Sequence, residues 1–394
     1  MNENLIFLVL IFLARFLLIT FSTLLIFEQT GVSLAPRQLN PSDSIEIASS
    51  LAPDSLSVTQ IKRIAAEHQA TLVQYSILED NQNHSELYIW VIKPTGEIEL
   101  RQTHLSQSLS QLVVELRQSL EHESQEDWQK LLQQLHQILI QPIAEFLPNQ
   151  PEERVIFIPQ GSLFLLPFAA LIDEQGTALI EDHTLSTVPA IQVLELTRQR
   201  LQTIQGKAEN ILVFGSIYSQ SELLEVAKLF NTEPLIENQA TKASILAKMS
   251  QSRIIHTSAN QIEINENNNY LMGLVFNSQT TKTPEILTIQ DIENSTLNAE
   301  LVVLSGDNTG IGTITSDGVM GLYRAFLVAG TPSIIVSLWN VPEQPTAELM
   351  IEFYQQFSHK SDKAQALRQA MLATMKNYPH PINWAGFILI GQPE

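Results

Sequence analysis

The chain contains no cysteine. Disulfides, thiolate metal sites and thiol nucleophiles are therefore excluded by composition, whatever the fold. The redox compartment stays open, because a cysteine-free chain suits either environment. Basic residues are scarce as well: 22 Lys and Arg stand against 42 Asp and Glu, a formal net charge of −20. Binding to a nucleic-acid backbone draws on Lys and Arg that displace counterions, so no nucleic-acid role is expected. Acidic excess of this kind keeps a chain soluble and suits a basic partner. The sequence also lacks an HExxH helix, a Gly-rich phosphate loop and a GxSxG elbow. Its nine histidines are scattered with no pair at ligand spacing, so neither a metal nor another cofactor is expected. No repeat of about 34 residues signals tetratricopeptide units.

At 394 residues the chain is long enough for one large domain or two modest ones. Residues 5–27 are apolar, broken by one charge, Arg15. A run of about 20 apolar residues spans a bilayer as a helix, which predicts a single-pass membrane anchor within residues 1–30. The alternative is export after signal cleavage, which calls for a basic n-region and an h-region of roughly 7–15 residues. Here Glu3 precedes the run and no Lys or Arg does, while the nearest cleavage-like site, Ser33-Leu34-Ala35, is followed by Pro36. Residues 31–57 are rich in Ser, Pro, Asn and Asp and read as a linker.

Residues 58–124 read as a small α/β and helical unit. Thr59–Ala70 is helical in pattern. Thr71–Leu78, Glu86–Lys93 and Ile98–Gln102 are β-rich, with a turn at Pro94-Thr95-Gly96-Glu97. From Ser106 to Phe146, leucines and isoleucines recur at three- and four-residue spacing, as in one or two amphipathic helices. From Arg154 onward apolar strands alternate with helical stretches. The strands are Val155–Pro159, Ile211–Phe214, Ile254–Ser258, Leu301–Leu304, Ser333–Leu338 and Gly386–Ile390. Such a pattern predicts an α/β fold with a largely parallel sheet and helices on both faces, and places functional groups beyond the strands' carboxyl ends.

Five stretches carry a family resemblance. Residues 301–341 give an apolar strand, a Gly-containing turn, an amphipathic helix and a strand ending Ser337-Leu338-Trp339-Asn340-Val341. Residues 154–173 run RVIFIPQGSLFLLPFAALID, and 381–391 run PINWAGFILIG. The stretch 70–96 forms the short β unit, and 254–261 runs IIHTSANQ. Together these resemble the CHAT family of caspase-like Cys/His-dyad peptidases, in the form found in cyanobacterial members. The resemblance covers roughly residues 59–394 and implies a caspase-like domain over about 125–394. In the strand and turn of 154–173, Gln160 replaces the family's usual Asp.

The resemblance also implies where a dyad would sit, and both positions are changed. The nucleophile, in a stretch that usually runs Leu-Ser-Ala-Cys, falls on Asp307 of Leu304-Ser305-Gly306-Asp307-Asn308-Thr309-Gly310. The base, the second His of His-x-Ala-Thr-His-Gly, falls on Asn260, with Gln261 in place of the Gly; His256 matches the first His, which is structural in the family. Asparagine takes up no proton near neutral pH and cannot act as a general base. No catalytic residues are expected, and the chain reads as a pseudo-peptidase. Its groove, formed by His256, Asn260, Gln261, Gly306, Asp307 and Asn308, is expected to bind a protein or peptide, with oxyanion donors implied near Gly306 and Gln261. The alternative is a hydrolase of different chemistry that uses Asp307 with His256. Asp317 and Glu343 read as loop carboxylates.

Overall fold

A computed structural model describes residues 56–394, apart from 80–84, 122–126, 267–268, 277–284, 316–317 and the single positions 205, 207 and 361. The apolar run 5–27 and the linker 31–55 lie outside the described residues. Among the described residues no helix is long and apolar enough to cross a membrane. The chain divides into two units, Met1–Ile61 and Lys62–Glu394. In the first, Ser57 precedes the start of a helix at Val58, its N–H and hydroxyl both donating to Gln60 Oε1 at 2.8 Å.

In the second unit the strands β1 (Ala70–Glu79), β2 (Ser85–Ile92) and β3 (Ile98–Leu105) form an antiparallel meander. β4 (Arg154–Ile158), β5 (Thr184–Thr187), β6 (Asn210–Phe214) and β7 (Ser252–Thr257) follow. A separate three-stranded sheet then comprises β8 (Asn260–Glu266), β9 (Asn269–Phe276) and β10 (Glu285–Thr288). β11 (Leu301–Leu304) returns to the main sheet, β12 (Gly312–Thr315) and β13 (Gly318–Gly321) make a hairpin, and β14 (Ser333–Ser337) and β15 (Phe387–Gly391) complete the set.

The main sheet runs β3-β2-β1-β4-β5-β15-β14-β11-β7-β6. Six of its neighbouring pairs are parallel and three antiparallel, so the largely parallel sheet expected from the apolar runs is present. β1 pairs directly with β4, from Ala70 opposite Arg154 to Gln74 opposite Ile158. The short β unit that precedes residue 125 is therefore hydrogen-bonded into the same sheet. β15 runs parallel to β5 and antiparallel to β14, which divides the sheet into two blocks of opposite polarity.

Successive strand residues point to opposite faces, so a strand buried at every position must be covered on both. All of β11 and β14 is buried. Helices 191–204, 220–229, 343–360 and 363–377 flank the sheet, with Leu349, Met350, Phe353 and Tyr354 of the third among its buried residues. The long amphipathic stretch 106–146 resolves into helices Leu109–Glu121 and Trp128–Leu139 and a 3-10 turn, Gln141–Phe146. One expectation is corrected: the link from β11 to the helix Leu322–Val328 is more than a tight turn, because β12 and β13 pair there from Gly312 opposite Gly321 to Thr315 opposite Gly318.

Candidate functional site

β7, β11 and β14 lie side by side and parallel, with Leu304 opposite both Thr257 and Val336. Their carboxyl ends therefore share one edge of the sheet, where an open α/β fold gathers its functional loops. Residues 258–260, 305–311 and 338–341 meet there.

Hydroxyls fix the middle loop to the third. Thr309 Oγ1 donates to Leu304 O at 2.8 Å, and the Thr309 N–H donates to Ser337 Oγ at 3.0 Å. The Ser337 N–H returns a bond to Thr309 Oγ1 at 2.9 Å, and Ser337 Oγ donates to Gly306 O. Thr309 and Ser337 are buried, so each polar atom they bring is offset by a partner. Just before Thr309, Asn308 turns the chain in the left-handed region, at φ 59°, a conformation asparagine tolerates better than most residues.

The structure brings Asn260 and Asp307 together. The Asp307 N–H donates to Asn260 Oδ1 at 3.0 Å, and the Gln261 N–H donates to Asp307 O at 3.3 Å. Gln261 Nε2 adds a bond to Ile311 O at 3.0 Å. The Asp307 carboxylate accepts from the Val341 N–H at 3.2 Å. Burial raises the Asp307 pKa above the ordinary carboxylate value, and the Val341 bond opposes that rise. The Asn308 N–H reaches Trp339 O at 3.3 Å, and its side-chain amide donates to Asn340 Oδ1. Gly306 lies so close to the neighbouring loop that a Cβ there would stand 2.3 Å from Ala259 O and 2.6 Å from Ala259 C.

His256 belongs elsewhere. It sits inside β7, opposite Val303 and Val213, and is fully buried. Its Nδ1 lies 3.1 Å from the Tyr354 hydroxyl, and its Nε2 lies 3.1 Å from Glu222 Oε1, close enough for an ion pair but without hydrogen-bond alignment. Of the six groove residues expected from the sequence, Asn260, Gln261, Gly306, Asp307 and Asn308 converge, while His256 faces helices 220–229 and 343–360. Glu343 is exposed at the start of the latter helix, and Asp317 lies outside the described residues. Among the described residues, no group of three His, Asp or Glu side chains could hold a metal ion.

Sequence reasoning missed the Val341 N–H, the Thr309–Ser337 pair and the Glu222 and Tyr354 neighbours of His256. Val341 acts through its backbone and leaves no side-chain signal. Glu222 lies 34 residues before His256 and Tyr354 lies 98 after it, spacings that only the fold closes.

Comparisons with known proteins bear on the same residues. Tetratricopeptide repeat protein 28 of Mus musculus is 26% identical over 323 residues, a match that covers 66% of this chain and 13% of that protein. Its Homo sapiens counterpart is 26% identical over 320 residues, with the same shares. The chain thus spans about an eighth of the length of these curated relatives. Among solved structures, the Saccharomyces cerevisiae separase–securin complex aligns with TM-score 0.55 at 10% identity, covering 89% of this chain and 31% of that one, a likeness of fold. A sequence model described as the CHAT domain matches residues 129–392, which take in β4, the shared edge of β7, β11 and β14, and β15. Matched over that span, the chain belongs to the CHAT domain family.

Proposed function

We propose that this CHAT-domain protein is a pseudo-peptidase: it binds a protein or peptide at the old catalytic edge and cleaves nothing. The observation that carries the proposal is how the backbone donors at that edge are used. Acyl transfer needs free N–H groups aimed at the oxygen that gains charge. Two amides at that edge are taken, Asp307 N–H by the Asn260 side chain and Gln261 N–H by Asp307 O. A carboxylate is in any case a weak attacker of an amide, and Asn260 removes no proton from water. Exposed Asn260 and Asn340 leave amide groups at the edge that suit hydrogen bonding to a peptide backbone. Separase of the yeast comparison was solved in complex with securin, a precedent for a protein partner on this fold.

The alternative hydrolase would need His256 to serve Asp307. Both His256 ring nitrogens face other groups in the core, Tyr354 and Glu222, so nothing favours it. The purified chain is expected to hydrolyse no peptide across a mixed-sequence library, with product formation followed by mass spectrometry. Turnover that disappears in Asp307→Ala would overturn the proposal.

Residues 5–27 support tethering of this domain to a membrane, in keeping with their apolar length. The full chain is expected to stay with membranes through high-salt and carbonate washes. Recovery in the soluble fraction of a chain that begins near Pro36 would replace the tether with export after cleavage.

A further inference from the structure

The helix Leu109–Glu121 precedes the matched domain, which starts at residue 129, yet it reaches the candidate site. Its buried stripe comprises Leu109, Leu112, Val113, Leu116 and Leu120. Arg117 stands four residues after Val113 and three before Leu120, so it shares that inward stripe. Its guanidinium donates to Leu338 O at 2.5 Å and, at a longer 3.5 Å, to Leu165 O. Burial lowers its pKa from the ordinary arginine value, with Glu121 one turn on acting the other way. An arginine held among carbonyls bears a desolvation cost that an aliphatic side chain of the same size would avoid. Packing alone does not account for it.

The carbonyl it holds is the first of a short segment that walls the site. The Leu338 N–H is fixed to Gly386 O at 2.7 Å, so Leu338 is held through both of its backbone groups. The next residues are the site's own contacts: Trp339 O accepts from the Asn308 N–H, Asn340 Oδ1 from the Asn308 amide, and the Asp307 carboxylate from the Val341 N–H. Three residues separate the arginine's grip from Asp307.

We propose that Arg117 is a positioning residue that makes the helix Leu109–Glu121 a control element of the candidate site, by fixing the wall 338–341 against Asp307. Displacing the helix withdraws Arg117 from Leu338 O, frees the wall and opens the edge around Asp307 and Asn308. Regulation then enters from the chain before the CHAT domain. Its use in regulation rests on the binding role proposed above; the geometric link is tested with no partner present, so the two can fail separately.

The test compares full-length Arg117→Met and Arg117→Lys with the unsubstituted protein, by amide exchange at Val341 and Val303 and by carbonyl-carbon NMR titration of Asp307. In Arg117→Met, exchange at Val341 should rise about tenfold relative to Val303, the effect of one lost hydrogen bond. Burial is the larger influence on Asp307, so an opened wall should move its midpoint down toward the ordinary carboxylate value, although the Val341 bond is lost. Arg117→Lys, which keeps a charged donor, should recover part of both effects. Unchanged exchange at Val341 and an unchanged Asp307 midpoint in folded Arg117→Met would overturn the proposal. If that variant does not fold, native-state exchange of the unsubstituted chain decides. Leu116 and Val341 should then open with one common denaturant dependence, and separate dependences overturn the link.

Discussion

Glu222→Ala should destabilise the protein by about 2–4 kcal/mol, because a buried polar partner and the packing around it are lost together. The Glu222 side chain is 3% exposed and His256 is 0% exposed, with Oε1 and Nε2 at 3.1 Å. Removing the carboxylate leaves the imidazole facing a cavity that water cannot freely fill, so the lost partner and the lost packing add. The third member is less critical. Burial and the nearby Glu222 carboxylate push the Tyr354 hydroxyl well above the ordinary tyrosine value, so it stays neutral and shares one hydrogen bond with Nδ1. Tyr354→Phe should cost about 1 kcal/mol. Denaturant midpoints with unchanged slopes measure both. A loss under 1 kcal/mol in Glu222→Ala would mean that the triad does not hold the core between helices 220–229 and 343–360. The pair also gives His256 its role, set by its neighbours in the core.

How far the sequence disclosed this architecture depends on how local each signal was. Leu301–Leu304 and Ser333–Ser337 are uninterrupted apolar or small-residue runs, and a strand covered on both faces must look like that, so the sheet's centre was legible. The meeting of Asn260 with Asp307 was what the family resemblance implied, since it puts them at the two positions of the dyad. The sheet β8–β10 was missed because Asn260–Glu266 is mostly polar and its partner strand is separated from β10 by a long connection. The hairpin β12–β13 did carry a sign, Asp317-Gly318 between short β-prone stretches, but the helix that follows masked it. Arg117 carried a sign too, a charged residue on an apolar stripe. What it holds is a backbone carbonyl 221 residues away, and no side-chain pattern announces such a partner.

Gly306→Ala should cost about 3 kcal/mol, at the upper end of what overpacking usually costs, although alanine is what the family resemblance leads one to expect at this position. The new Cβ would lie 2.3 Å from Ala259 O and 2.6 Å from Ala259 C, distances at which backbone has to move. Neither side moves easily. The Ser305 N–H is bonded to Thr257 O at 2.8 Å, and Asp307 is tied to Asn260 and Gln261. The cost should shrink in Asn260→Ala, where the Asp307 N–H loses its side-chain partner and the loop 258–260 has less to hold it down. The double variant should therefore be more stable than the sum of the single effects allows, and a double-mutant cycle read from denaturant midpoints measures that coupling. Full stability in Gly306→Ala would mean that the two loops do not close over each other. A costly Gly306→Ala with clear coupling to Asn260 would mean that the space between the two loops is filled by backbone, beneath the exposed amides of Asn260 and Asn340, and that the changes at 260, 306 and 307 act as one set. On that outcome, restoring His at 260 and Cys at 307 without reopening the loop would leave a thiol with no room for an acyl group.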